Sequence, residues 1–435
     1  MTTFSDLGLI EPLLRALTAE GYSVPTPIQQ QAIPMLLEGR DMLGIAQTGT
    51  GKTAAFALPI LQRMAANRIK AAPRCPRALI LTPTRELAVQ IGEGFATYGK
   101  HLGFKRAVIY GGVGQGAQVS AMNAGVDILV ATPGRLLDLM NQRHVNLQHV
   151  EFLVLDEADR MLDMGFIRDV KVIVSKIVAA RQTLLFSATM PEAVMSLAKG
   201  ILKNYERIEV TPQSTTVERI EQRVMFVARD DKRRLLSELL KDKAVTRALV
   251  FTRTKHAANR VAEHLIKSGV SADAIHGNKS QNARQRSLND FKAGKARVLV
   301  ATDIAARGID VDGISHVINF ELPADPESYV HRIGRTARAG AVGVAIAFCD
   351  ADEVGDLRAI ERTTRQTITV DTTHAFHAAH IATRSERDSP RSRNGRPAGK
   401  PSGGNRPPQG NRNSRGGRGG SGGGGRPWEN RSRAT

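Results

Sequence analysis

Cysteine is almost absent from this chain of 435 residues, which carries only Cys75 and Cys349. The two fall in different candidate domains, so a disulfide framework is not expected and a reducing, cytoplasmic setting fits best. Long apolar runs are missing too: no stretch approaches the roughly 20 apolar residues that span a bilayer. The first six residues lack a basic segment followed by an apolar one, so the expectation is a soluble, unexported protein without a membrane span. Negative charge is the third deficit. Asp and Glu number 42 against 61 Lys and Arg, a formal net charge of +19. Surplus cationic side chains suit a polyanion, whose condensed counterions they release on binding. Nucleic acid meets that description, as do anionic membrane surfaces and acidic proteins. Apolar residues are not scarce: at 41% of the chain they can fill real cores, and the length accommodates two ordinary domains and a tail.

Short apolar runs alternate with helical patterns along most of the sequence. Residues 42–46, 78–82, 106–110, 127–131, 152–155 and 183–187 are nearly continuous in Val, Ile and Leu, the pattern of strands buried on both faces. A second series follows at 222–227, 248–252, 274–276, 298–301, 316–319 and 344–348. Two βα series in succession predict an α/β chain with two tandem doubly wound parallel sheets. The first domain is expected over 1–210, a polar, proline-containing linker over 211–218, and the second domain over 219–375. From about 383 the composition turns to Arg, Gly, Ser, Asn and Pro, which cannot bury enough apolar surface to offset chain entropy, so 383–435 is expected to be disordered. Residues 384–435 hold 13 basic and 3 acidic side chains, a surplus of 10 out of the chain's 19. Such an Arg/Gly-rich tail either solubilises the chain or tethers nucleic acid; Arg in preference to Lys and the lone Trp428 favour the tether.

Three segments carry chemistry. Ala46, Gln47, Thr48, Gly49, Thr50, Gly51, Lys52 and Thr53 approximate the phosphate-loop pattern G-x-x-x-x-G-K-[ST], with Ala46 in place of the first glycine. A strand leads in and a helix-forming run leads out, so backbone N–H groups of Gly49, Thr50, Gly51 and Lys52 would face phosphate at a helix N-terminus. Lys52 would neutralise β/γ-phosphate charge and the Thr53 hydroxyl would reach Mg²⁺. The apolar run 152–155 delivers Asp156 to the carboxyl end of a buried strand, where ligands bind in such sheets. Asp156 is placed to hold Mg²⁺ and Glu157 to orient or deprotonate an attacking water. Far downstream, Arg335 and Arg338 stand three apart in one helical turn, and their planar guanidinium groups suit the charge that spreads over a transferring γ-phosphoryl group. Each segment has a plainer explanation: a glycine-rich turn, a solvated acidic helix start, a basic surface helix. If both regions serve one ATP, however, the nucleotide joins two domains.

Taken in order, these residues resemble the DEAD-box RNA helicases of superfamily 2, named for the tetrapeptide found here at Asp156, Glu157, Ala158 and Asp159. The likeness runs from Phe4 to about Phe348, and the wording of residues 25–34 with the Arg/Gly-rich tail looks most like the bacterial RhlE group. It implies two RecA-like domains and an ATP-dependent RNA helicase using ATP and Mg²⁺. Gln29 matches the glutamine that reads the adenine edge, and Phe4 the upstream aromatic that stacks on the base. Ser187 and Thr189 match the motif whose hydroxyls bond Asp159 and link the ATP side to the RNA side. Pro83, Thr84, Arg85, Gly111, Gly112, Thr132, Pro133, Gly134 and Arg135 match the first domain's RNA-backbone motifs. Arg253, Gln281, Arg284 and Thr302 match those of the second, with Asp310 assigned to the nucleotide. Ala337 departs from the pattern, since many members have glycine there.

The resemblance implies an RNA-dependent ATPase that separates short duplexes or strips proteins from RNA, with RNA held mainly by its backbone. Ribosomal precursors and RNA-decay proteins are candidate partners. Two other readings stay open: a passive RNA chaperone acting through the tail, and a superfamily 2 DNA translocase.

Overall fold

The apolar runs become interior strands. The structure is a computed structural model that describes residues 2–47, 49–210, 220–306, 309, 311, 313–337 and 343–381. The linker expected at 211–218, the tail expected at 383–435, and Thr48, Asp310 and Arg338 lie outside those residues. In the first lobe, β1 (Met42–Ile45), β2 (Ala78–Leu81), β3 (Arg106–Ile109), β4 (Ile128–Ala131), β5 (Phe152–Leu155), β6 (Gln182–Ser187) and β7 (Glu206–Glu209) form one sheet in the order β3-β4-β2-β5-β6-β1-β7. In the second, β8 (Ile220–Phe226), β9 (Ala248–Thr252), β10 (Ala272–Ile275), β11 (Val298–Thr302), β12 (His316–Asn319), β13 (Gly343–Cys349) and β14 (Thr369–Val370) run β10-β11-β9-β12-β13-β8-β14. Every pairing of these strands is parallel.

The side-chain period of two explains the runs. In β2, Ala78 and Ile80 enter one apolar cluster with Phe56 and Ile91, while Leu79 and Leu81 enter another with Met122 and Leu136. Both faces are covered by helices, so no position along the strand has reason to be polar. β9 repeats this: Ala248 and Val250 face one cluster, Leu249 and Phe251 another. The expected two doubly wound parallel sheets are therefore present, with two more strands among the described residues than the twelve read from sequence. The additions are edges. Only Ile208 of β7 is buried and both residues of β14 are exposed, so neither shows an apolar run.

One buried polar cluster ties the second lobe together. Lys232 is 2% exposed and bonds Glu353 and Asp350, the latter at 3.0 Å. Glu353 also accepts from the backbone N–H of Leu322 at 3.1 Å, and burial raises its pKa against the pull of Lys232. Lys232→Met would leave Asp350 without its cation and Glu353 with only Arg253, at 3.5 Å, and is expected to cost about 3–5 kcal/mol of stability, the range for breaking a buried ion pair from one side. Chemical denaturation of the full chain checks this; a loss below about 1 kcal/mol would mean that water replaces the ammonium group.

Candidate active site

The carboxyl ends of the first sheet gather the predicted nucleotide residues. β1 hands Ala46 and Gln47 to a turn in which Gly49 and Gly51 adopt φ of 82° and 91°. Gly51 caps the helix Lys52–Ala66. A Cβ at Gly51 would collide with Gln29 Nε2, so both conformation and space require glycine. The first N–H groups of this 15-residue helix lack intrahelical acceptors, which suits an anion. Thr50 Oγ1 closes the turn by donating to the Gln47 carbonyl at 2.8 Å.

Lys52 is buried; its ammonium group donates to the Ala46 carbonyl at 3.0 Å and lies 3.9 Å from Asp156 Oδ1. That oxygen is buried with no hydrogen-bond partner, and burial raises the Asp156 pKa while Lys52 opposes the shift. An orphaned carboxylate oxygen near a helix start that bears the Thr53 hydroxyl fits Mg²⁺, which takes one or two protein oxygens and completes its shell with water and phosphate. Among the described residues no group of three or more His, Cys, Asp or Glu forms a larger cage.

Gln29 is fixed to this loop. Its Nε2 donates to the Gly51 carbonyl at 3.0 Å and its Oε1 accepts from the Thr26 N–H at 2.9 Å. A carboxamide has two N–H groups and two oxygen lone pairs, so one of each remains for a base edge. Phe4 is 5% exposed and packs in the first lobe's core, so its ring is engaged there rather than standing open to a base.

Glu157 has φ 57° and ψ 54°, a left-handed conformation that costs a non-glycine residue about 1–2 kcal/mol and marks a position worth a functional explanation. Its carboxylate accepts from Arg160 Nη1 at 2.8 Å, with both side chains buried. Asp159 bonds the segment that the resemblance pairs with it. Its Oδ2 accepts from the N–H groups of Ala188 and Thr189 at 3.1 and 2.9 Å and from the Thr189 hydroxyl at 3.1 Å. Ser187 Oγ accepts from the Asp159 N–H at 3.1 Å and donates to the Thr189 carbonyl at 2.7 Å.

The second lobe presents its arginines from the helix Pro326–Ile333 and the turn after it. Arg332, 2% exposed, anchors them: it donates to Asp303 Oδ1 and Oδ2 at 2.5 and 2.7 Å, to Asn319 Oδ1 at 3.0 Å and to the Glu321 carbonyl at 2.7 Å, and lies over Phe251. Arg335 is held by the His331 and Ile309 carbonyls at 3.2 and 3.1 Å. Burial, reinforced by the charge of Arg160 and opposed by that of Glu157, pulls the Arg335 pKa down to about 9. The second lobe's arginine thus sits in the field of the first lobe's Glu157–Arg160 pair. Ala337 takes φ 55°, which explains why glycine is at ease in this place.

A cavity of about 460 Å³ is lined by Pro83, Thr84, Arg85, Gly111, Thr132, Gly134 and Arg135 of the first lobe and Arg284 of the second. Gly112 lies against Arg85, Pro133 opens the helix Pro133–Asn141, and Thr302 ends β11. Two expected RNA contacts are instead engaged between the lobes: Arg284 bonds Glu86 at 2.9 Å, and Gln281 joins Glu86 at 3.1 Å and Arg85 at 3.3 Å. Arg253 is elsewhere. It lines a separate cavity of about 300 Å³ in the second lobe and bonds the Leu322 carbonyl and Asp356. Glu86, Met164, Phe166 and Ile304 also line the groove; Glu86 and Ile304 lie within segments that match family motifs (83–87 and 301–310) but carried no role of their own, and Ile304 is 66% exposed.

A phosphate loop on one RecA-like domain and a buried arginine segment on a second define a nucleotide-driven helicase core. The chain belongs to the DEAD-box ATP-dependent RNA helicases: the family model described as DEAD/DEAH box helicase matches residues 26–197, and that of the helicase conserved C-terminal domain matches 231–340. It is 44% identical over 366 residues to the DEAD-box ATP-dependent RNA helicase CshA of Bacillus cereus, covering 84% of this chain and 69% of the relative. Against the ATP-dependent RNA helicase CshA of Listeria monocytogenes it is 45% identical over 368 residues, again 84% and 69%. Among solved structures it is similar to Saccharomyces cerevisiae Dbp5 bound to RNA and ADP BeF3, with TM-score 0.73, 33% identity and coverage of 89% and 99%. A Dbp5 variant bound to Nup159, a Gle1 variant, IP6 and ADP gives 0.59, also at 33% identity, with coverage of 88% and 100%. The curated relatives named here are CshA helicases, so the RhlE likeness rests on residues 25–34 and the tail. No helix among the described residues is long and apolar enough to cross a membrane.

Proposed function

We propose that this helicase separates short RNA duplexes or strips proteins from RNA by closing its two lobes over ATP and a single strand, in the cytoplasm. Lys52 and the turn at Gly49–Gly51 bind the phosphates, Thr53 and Asp156 hold Mg²⁺, Glu157 orients water, and Arg335 with Arg338 meets the γ-phosphate. Mg²⁺, when bound, offsets the charge that develops on the β- and γ-phosphate oxygens. The domain division 1–210, 211–218 and 219–375 follows, with Ala378 and Ile381 packing into the second core. The closed form grips a bent strand that a duplex cannot adopt, and hydrolysis resets it. Ribosomal precursors or RNA-decay assemblies are the substrates in view.

The observation that carries this reading is Glu86, where Arg284 and Gln281 of the second lobe reach the first beside a groove lined by both. Glu86→Arg and Arg284→Glu are each expected to lower RNA-stimulated ATP turnover about tenfold or more, since like charges facing each other across an interface cost several kcal/mol, and the double reversal should recover much of it. ATPase rates at saturating RNA check this; full activity of both single variants would leave closure without its contact.

A further inference from the structure

We infer that Arg160 is a positioning residue for ATP cleavage, which fixes the Glu157 carboxylate so that one oxygen is held and the other is left for water. The inference rests on the reading of Glu157 as the water-orienting group.

Arg160 follows the DEAD tetrapeptide within the helix Ala158–Asp163. Its three-residue offset from Glu157 brings the guanidinium back over the preceding turn. Nη1 donates to Glu157 Oε2 at 2.8 Å, and the two residues are 7% and 3% exposed. Without Arg160, Glu157 would keep its left-handed backbone but lose the buried cation that sets its side-chain direction.

The surroundings make the pairing expensive, which argues against chance. Arg160 also lines a small cavity with Ser328, His331 and Arg335 of the second lobe. Burial disfavours protonation of both His331 and Arg335, and the positive charge of Arg160 adds to it, with Arg335 adding at His331; Asp159 and Asp163 oppose at His331 and Glu157 opposes at Arg335. Asp156 feels the charges of Lys52, Glu157 and Arg160 together. One carboxylate is therefore bonded by the guanidinium of Arg160 and felt by the buried guanidinium of Arg335 from the other lobe, an arrangement that a stability requirement alone would replace with apolar packing. Arg160 orients Glu157 toward the place Arg335 enters when the lobes meet.

The test uses the full chain with saturating single-stranded RNA and measures single-turnover ATP cleavage, KM for ATP, and RNA affinity with ADP–beryllium fluoride bound. Arg160→Ala should slow cleavage about 10–100-fold, the range for misplacing a reacting group by an ångström or less. KM and RNA affinity should change little, and Arg160→Lys, which keeps the charge without the planar fork, should fall between native and alanine. In a Glu157→Gln background, Arg160→Ala should add less than about twofold, because the two residues act as one unit. Native-like cleavage by Arg160→Ala overturns the inference. So does the same loss in both backgrounds, or a loss in KM and RNA affinity as large as that in rate, since either would mark Arg160 as merely structural. Native-like cleavage by Glu157→Gln would instead remove the reading on which the inference rests.

Discussion

Replacing Arg335 with alanine is expected to lower RNA-stimulated ATP turnover by about 10³–10⁵-fold, the range for an arginine finger and equivalent to about 4–7 kcal/mol of barrier. The effect is large because the guanidinium is already desolvated, at 5% exposure, and aimed by backbone carbonyls on an element that Arg332 locks to Asp303, Asn319 and Glu321. A charge so placed needs little reorganisation when γ-phosphate charge spreads, and in a low-dielectric site it acts at nearly full strength. Lysine should rescue poorly, since it lacks the planar fork that meets two oxygens at once. ATP binding should change little, because Lys52 and the phosphate loop lie in the first lobe. Steady-state ATPase at saturating RNA and ATP binding by equilibrium titration together check this. A loss below about tenfold would place Arg335 outside the transition state.

How much of this was legible in the chain depends on how local each cause is. β2 and β5 could be read because a parallel strand covered on both faces has only apolar positions, and the phosphate loop because Gly51 answers a backbone demand that no other residue meets. The place of Asp156 could be read because it directly follows the apolar run that forms β5. β7 and β14 could not: β7 buries only Ile208 and β14 is two exposed residues, so neither shows an apolar run. Glu86 and Arg160 gave no sign of their partners either. Glu86 sits inside a matched motif yet looks like an ordinary first-turn acid on the helix Arg85–Tyr98, and only the fold brings Gln281 to it from 195 positions downstream, with Arg284 beside. Arg160 looks like a basic helix residue until its partner is seen to be Glu157. Arg253, matched by motif, lines a different cavity from the other matched residues, a separation that its motif does not show.

Glu157→Gln is expected to lower turnover by about 10²–10⁴-fold, the contribution of a positioned general base, while ATP and RNA remain bound or bind more tightly. The substitution is close to isosteric. The amide oxygen can still accept from Arg160 Nη1, so the pair that holds the side chain at 2.8 Å survives with less charge, and the strained backbone at φ 57° is not disturbed. What is lost is the ability to draw a proton from water. On the proposed reading ATP is bound through the phosphate loop and Lys52, and the lobes close through Glu86, Gln281 and Arg284, none of which the change touches. If closure is driven by binding and undone by hydrolysis, a protein that cannot hydrolyse accumulates closed on RNA. Its RNA should then dissociate more slowly in the presence of ATP than from the native protein, which filter binding with an ATP chase can time. Loss of turnover with fast RNA release would separate chemistry from clamp opening, and native turnover would pass the role of Glu157 to another group.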